Sequence, residues 1–507
     1  MRPLKIALLS RWYWLESQIH YDEEGGATRQ LAEAVAALGH EVVVLTQSPE
    51  VRKLKQLPIG ALETWVSPRG RHRSLLVRLR DRVARKKFFH PQVYTDALAL
   101  RDFLAQRGPF DVLWAQSESP DGLIAGIAAR LRVKLPPVLV QIQSLRTKYE
   151  KGATVFIEKL PLDYAFRQAT RILAPSQLVV DALPRYASPG HSAEDLKAKV
   201  RLVYPNLQRA FLRAAEEQPS LPEPMKDRVL YLGMINQQKG ALVFLKAVAK
   251  TEARKRNSVF AVIGDFVEHS PRALKRWENA QEVTRVQLSG ARMEYLGRVS
   301  TSEVIRQIKL ARVVVVSSLF DAFSRSVVEA LVLGRPVITT SQVGASPLVI
   351  THKCGIVVAP NDPDALAQAI DVVLSPIVPF AENADHVGQS LSQELSPEAI
   401  APYIAYHLSR IAAQPVVKQP PSAPALPMVK EPPEAAAPPT VKQPPPAKKP
   451  PAPAPPQVKA PPPIKEPPAV SPPPVAEALP QIKETLSIKA PTIKAATIVK
   501  GPFIKRK

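Results

Sequence analysis

Up to about Gln414, short runs of aliphatic and β-branched residues alternate with segments whose apolar positions recur every three or four residues. LKIALLS (4–10), GHEVVVLT (39–46), the segments 111–114, 138–143 and 171–176, and VVVV (313–316) read as strands. Their unbroken apolar character is that of parallel strands covered on both faces. Helical spacing predicts a helix over Thr28–Leu38. It predicts a second that carries Val327, Leu331 and Val332 and stops before Gly334 and Pro336, and a third near Pro397–Ala412. Strands alternating with helices predict doubly wound α/β domains and exclude an all-β or bundle fold. About 400 residues of such sequence exceed what one core supports, so two domains are expected, over 1–205 and 206–380.

The densest chemistry lies in 313–361. Asp321 precedes Glu329 with seven residues between them, where the strand at 313–316 gives way to a helix. In open α/β sheets ligands bind beyond the carboxyl ends of the strands. Two carboxylates there suit a polyhydroxyl ligand, because each ionised group accepts hydroxyl hydrogen bonds. Gly25-Gly26, the one Gly-Gly pair in a chain of only 20 glycines, precedes the first predicted helix. Such a pair admits close approach of a phosphate or sugar to backbone amides.

These motifs resemble those of the family 4 retaining glycosyltransferases with the GT-B fold, in which two Rossmann-like domains face a cleft. Glu329-Ala330 and Gly334-Arg335-Pro336-Val337-Ile338 match the family's acidic motif, while Asp321 replaces a glutamate and Ser324 a glycine, and the segment Cys354–Ile370 looks like the strand, Pro-Asn-Asp-Pro turn and helix that follow the family's glycine-rich loop. In VLYLGMINQQKGALVFLKAV (229–248), Gly233, Lys239 and Gly240 match a phosphate-holding loop, but Met234 stands where the family carries arginine and cannot make its bidentate contact. Arg298 and Arg325 are the nearest substitutes by sequence.

The resemblance implies a nucleotide diphosphate sugar as donor and no cofactor or metal. Lys239 would meet its phosphates with Gly344, Ala345 and Ser346, Glu329 its ribose, and Asp321 the sugar ring. Gly25 and Gly26 would lie at the donor, and Gln143 would stand on the acceptor side where many members carry histidine. It also implies that 381–413 crosses back to the first domain, and it places glycine after Asn206, where this chain has Leu207.

Composition adds a boundary. Beyond Gln414 the chain carries 28 of its 54 prolines and a charge of 14 − 5, or +9, of the total +23. A segment so poor in apolar area is expected to be disordered with polyproline II bias over 414–507. A second basic stretch, 69–91, interleaves arginines with Leu75, Leu79 and Val83 at helical spacing. Both segments are candidates for an anionic membrane surface, and no specific nucleic-acid partner is expected.

No apolar run reaches the ~18 residues that span a bilayer, the N-terminus lacks a signal-peptide form, and the single Cys354 fits a reducing compartment. The nine histidines show no metal-binding spacing. The expectation is a cytoplasmic glycosyltransferase, peripheral at the inner face of the membrane, acting on a glycan or glycolipid acceptor in surface polysaccharide or glycolipid synthesis. The departures at Met234, Asp321, Gln143 and Leu207 keep two alternatives open: a pseudoenzyme of the same fold acting as a scaffold, and a sugar-nucleotide epimerase-like enzyme.

Overall fold

The computed structural model describes residues 2–10, 23–46, 62–66, 77, 79–81, 92–145, 147–150, 153–156, 159–186, 192–217, 227–256, 258–264, 286, 289–375 and 380–413. The first half of the chain contributes β1 (Lys5–Leu9), β2 (Glu41–Thr46), β3 (Leu62–Val66), β4 (Val112–Ala115) and β5 (Val138–Gln141). An antiparallel hairpin of β6 (Thr147–Glu150) and β7 (Ala153–Phe156) follows, then β8 (Ala169–Ala174) and β9 (Val200–Leu202). Apart from the hairpin, these strands form one parallel sheet in the order β3-β2-β1-β4-β5-β8-β9. The second half contributes β10 (Arg228–Leu232), β11 (Val259–Ile263), β12 (Arg292–Gly297), β13 (Val313–Val316), β14 (Val337–Thr340) and β15 (Gly355–Val358). They form a second parallel sheet in the order β12-β11-β10-β13-β14-β15.

The strand order reverses between β1 and β4 in the first sheet and between β10 and β13 in the second. These reversals are the switch points at which the crossover helices diverge to opposite faces and leave a crevice at the carboxyl ends. Of the runs that read as doubly covered, β4, β5 and β13 are buried at every position. The Asn-Asp-Pro turn at 361–363 shows how local chemistry ends a strand and starts a helix. Asn361 takes the left-handed conformation at φ 57, and Asp362 caps the helix Pro363–Val373 by accepting from the amides of Asp364 and Ala365.

Three expectations shift. The first helix spans Glu23–Ala37, so Gly25 and Gly26 lie inside its first turn and do not precede it. The strand expected at 111 begins at Val112, and Asp111 instead accepts from the Lys5 amide at 2.8 Å. The strand expected over 138–143 leaves the ladder after Gln141, so Gln143 stands free of β5.

The chain passes between the two sheets twice. Leu207, on the outward passage, is fully buried, and its amide donates to the carbonyl of Leu395 on the return at 2.9 Å. The last helix, Pro397–Ala412, buries Ile400, Ile404, Leu408 and Ile411 in the core that contains Leu31 and Val35 of the first helix and Trp114 of β4. A buried leucine at 207, where glycine was anticipated, therefore serves the core of this crossing. Cys354 is likewise fully buried, and burial pushes its thiol up to about 11, as befits a small core residue.

The tail 414–507 lies outside the described residues, as does the basic stretch 69–91 apart from Val77, Leu79, Arg80 and Asp81. Leu79 is exposed, while Asp81 accepts from the Tyr94 amide and the Thr95 hydroxyl. No helix among the described residues is long and apolar enough to cross a membrane.

Candidate functional site

The loop leaving β10 is held from beneath. Tyr231, 1 % exposed, sets its hydroxyl 3.1 Å from the carbonyls of both Met234 and Lys239, bracketing the loop. Burial first, and the negative charge of Asp321 second, raise the pKa of this phenol, so it remains a neutral donor. Asn236 accepts from the Lys239 amide at 2.7 Å. Gly240, at φ +72, closes the loop, and a side chain there would overlap the carbonyl of Ser317 at the end of β13. Ser317 in turn donates to the Gly240 carbonyl at 3.0 Å. Gly233 follows β10 directly and donates to the Ile263 carbonyl at 3.1 Å.

This scaffolding delivers Lys239 to the switch point. Its ammonium lies 2.7 Å from Oδ2 of Asp321, which stands in the loop after β13. The lysine is partly exposed and the carboxylate nearly enclosed, with 29% and 10% of their side chains accessible. Asp321 is fixed by its backbone: its amide donates to Gln342, and its carbonyl accepts from Gly344 at 3.0 Å. Ala345 donates to Phe323 at 2.9 Å, so the 321–323 and 342–345 loops are laced together. Ala345 and Ser346 are both buried, at the start of the helix Ser346–Thr351. Glu329 is fully buried in the second turn of the helix Arg325–Val332. Ser324 precedes that helix at φ 68 and ψ 92, a backbone that favours glycine, which accounts for the glycine anticipated there.

The first sheet meets these loops directly. Ser176, after β8, donates to the Ala322 carbonyl at 2.6 Å, and Gly344 packs so closely that a methyl group would strike both the Ala322 carbonyl and the Ser176 hydroxyl. Gln238 reaches back to the Leu145 carbonyl at 3.3 Å. Tyr204 and Phe323 place their rings 5.6 Å apart. Arg325, 9 % exposed, donates from Nη2 to Oε1 of Gln143 at 3.2 Å. Gln143 donates through Nε2 to Oε1 of Gln116 at 3.1 Å, and through its amide to Oε2 of Glu118 at 2.9 Å.

Of the residues anticipated from sequence, Lys239, Asp321, Gly233, Gly240, Gly344, Ala345, Ser346, Arg325 and Gln143 thus belong to one connected set of loops. Arg298 stands apart, exposed beyond β12 on the outer edge of the second sheet. At Gly26 a side chain would meet only the Gln208 amide group, at an ordinary 3.6 Å, so no crowding there demands glycine. Tyr231, Asn236, Ser317, Ser176, Gln116 and Glu118 were not singled out from sequence. Only Asn236, three residues before Lys239, carried a local signal, that of a side-chain-stabilised turn. Among the described residues no group of three or more His, Cys, Asp or Glu is arranged to hold a metal ion.

Comparison with known proteins follows the same two halves. The family described as "Glycosyl transferase 4-like domain" matches residues 25–193, and "Glycosyl transferases group 1" matches residues 226–375. Among curated proteins, the chain is 25% identical over 246 residues to alpha-D-kanosaminyltransferase of Streptomyces kanamyceticus, covering 47% of this chain and 61% of that protein. It is 30% identical over 149 residues to an uncharacterized glycosyltransferase of Methanocaldococcus jannaschii, covering 29% and 35%. The match thus spans less than two thirds of each of these relatives.

Among solved structures, the sucrose-phosphate synthase of Thermosynechococcus elongatus is similar with a TM-score of 0.61 and 21% identity, over 80% of this chain and 99% of that one. Anabaena HepE in complex with UDP and glucose gives a TM-score of 0.55 and 18% identity, over 80% and 99%. At such identities these likenesses concern the fold. Two parallel sheets meeting at their carboxyl ends, with a family match in each half, establish that the chain belongs to the family 4, or group 1, glycosyltransferases of the GT-B fold.

Proposed function

We propose that this chain transfers a sugar from a nucleotide diphosphate sugar to a glycan or lipid-linked acceptor, with retention of anomeric configuration and without a metal. The observation that carries this reading is the Lys239–Asp321 pair, 2.7 Å apart over the β10/β13 switch point and enclosed by the loop that ends at Ser346. The barrier to such a transfer lies in charge accumulating on the departing diphosphate, which fixed positive charge relieves. Lys239 exchanges its carboxylate for the phosphate oxygens, and Asp321, thereby released, accepts from hydroxyls of the sugar ring. Glu329, by family resemblance, takes the ribose hydroxyls. The first sheet, on the other side of the cleft, brings the acceptor hydroxyl and excludes water that would otherwise hydrolyse the donor.

By family resemblance the product belongs to surface polysaccharide or glycolipid synthesis. The basic stretch 69–91 and the basic tail are the segments that would hold the protein at the inner, anionic face of the membrane.

The test is thermal stabilisation of the purified chain and of Lys239→Ala by UDP, GDP, ADP and TDP sugars. UDP-glucose comes first, because the structurally similar HepE is described in complex with it. The expected result is a rise in melting temperature selective for one base and absent in the variant. No response to any donor would instead favour the scaffold reading, with Lys239 and Asp321 neutralising each other permanently.

A further inference from the structure

A nucleoside diphosphate brings at least two negative charges, yet Lys239 offers one positive charge and is itself paired with Asp321 at 2.7 Å. A second cation is needed at the same switch point. In the loops leaving β10, β13 and β14 and in the helix starts they feed, the cationic side chains are Lys239 and Arg325. Arg325 is the first residue of the helix Arg325–Val332 and lies four positions beyond Asp321 on the same loop. It is 9 % exposed, an unusual degree of burial for a guanidinium and one that strengthens its interaction with an incoming anion. Arg298, by contrast, is exposed on the outer edge of the sheet.

The other sheet holds Arg325 in place. Its Nη2 donates to Oε1 of Gln143 at 3.2 Å, a contact between residues 182 positions apart. Gln143 is in turn fixed at two points. Its amide N–H donates to Glu118, 2 % exposed, and its Nε2 donates to Gln116, 3 % exposed. The bond to Gln116 decides which end of the Gln143 amide faces Arg325, namely the carbonyl end. Gln143, a neutral acceptor, orients the guanidinium without itself adding a negative charge beside it.

Building on the donor reading above, we infer that Arg325 is the second cation for the donor diphosphate, and that Gln143, backed by Gln116 and Glu118, is its positioning residue on the first sheet. The anion site is then assembled from both sheets, and it is complete only when they are together.

Binding of UDP and UMP, or of the diphosphate and monophosphate of whichever base the donor panel selects, tests this without knowledge of the acceptor. Arg325→Met is expected to weaken the diphosphate about tenfold or more and the monophosphate markedly less. Met234 is 43% exposed on the loop that carries Lys239, so an arginine fits there without repacking. Adding Met234→Arg to Arg325→Met should restore most of the diphosphate preference, a rescue that a purely structural role for Arg325 would not give. Gln143→Leu should lower the same preference by several-fold, and Gln143→Glu should lower it further by placing a negative charge against the guanidinium.

An unchanged diphosphate affinity in Arg325→Met, or equal losses for both nucleotides, would overturn the assignment. An unchanged preference in Gln143→Leu would overturn the positioning role. If the wild-type chain binds no nucleotide of any base, the donor reading itself falls, and this inference with it.

Discussion

The two switch points of this molecule are built alike and furnished differently. At β10/β13 the loops present Lys239, Asp321 and Arg325, all ionisable and arranged about one crevice. After β4 and β5 the facing loops present Gln116 and Gln143, neutral amides bonded to each other, with the carboxylate of Glu118 turned to the backbone of Gln143. On the proposed reading, charge that stabilises a leaving diphosphate lies on one side of the cleft, and the described loops after β4 and β5 orient groups through neutral amides. A glutamine at 143 can direct a hydroxyl or a guanidinium, but it is not a base near neutral pH. On the proposed reading, the difference teaches that the lever for donor departure lies in the second half, while the described loops of the first half contribute orienting groups.

The largest effect expected from breaking this division is on turnover. Lys239→Ala should reduce kcat/KM for the donor by about 100-fold or more, since one preorganised charge at the leaving group is removed. Steady-state kinetics with the base identified by thermal shift would check it, and an unchanged value would transfer the lever elsewhere.

Next in size is the seam between the halves. In Gly344→Ala the added methyl would run into the Ala322 carbonyl and the Ser176 hydroxyl, with an expected loss of about 2–3 kcal/mol in denaturant unfolding. Gly290, at φ +75 with nothing within 4 Å, is the control: alanine there should cost only about 1 kcal/mol, the backbone penalty alone. Equal losses at both positions would mean that the seam contributes no packing.

A smaller effect concerns the last helix, where it packs against the first sheet. His407 on the last helix is held neutral, its pKa lowered to about 4 by burial and then by the charges of Arg171 and Arg201. Because the unfolded chain binds that proton near pH 6.5 and the folded one does not, stability is fully present above about 6.5 and declines as pH falls toward 4. The expected decline, of the order of 1 kcal/mol, should flatten in His407→Leu when melting is followed between pH 7 and 4.

The smallest change runs in the opposite direction. Ser324→Gly should raise stability by about 0.5–1 kcal/mol, by relieving a side chain held at φ 68. No gain in chemical denaturation would show that the serine is accommodated without strain.

What could be read from the sequence was local. Four consecutive valines at 313–316 can scarcely be anything but a covered strand, and the spacing of Asp321 and Glu329 followed from the strand-to-helix turn they flank. Lys239 was visible through the resemblance of its loop, with Gly233 and Gly240, to a phosphate-holding loop of the family. The helix start at Glu23 was not visible, since a Gly-Gly pair argues against helix and only tertiary packing overrides it. Nor could Ser176 be matched to Ala322, or Gln143 to Arg325, across 146 and 182 positions, because a single side-chain contact at such separation leaves no periodic trace. The seam between the sheets is therefore the part of the site that sequence conceals most completely.

The hydrogen bond between Leu207 and Leu395 has a consequence for how this protein can be cut. Since the chain travels between its halves along two adjacent segments, one broken peptide bond in either leaves the halves tethered by the other, and the paired leucines keep the ends in register. A protease acting there would yield a nicked but assembled molecule, two fragments on a denaturing gel and one species on a sizing column.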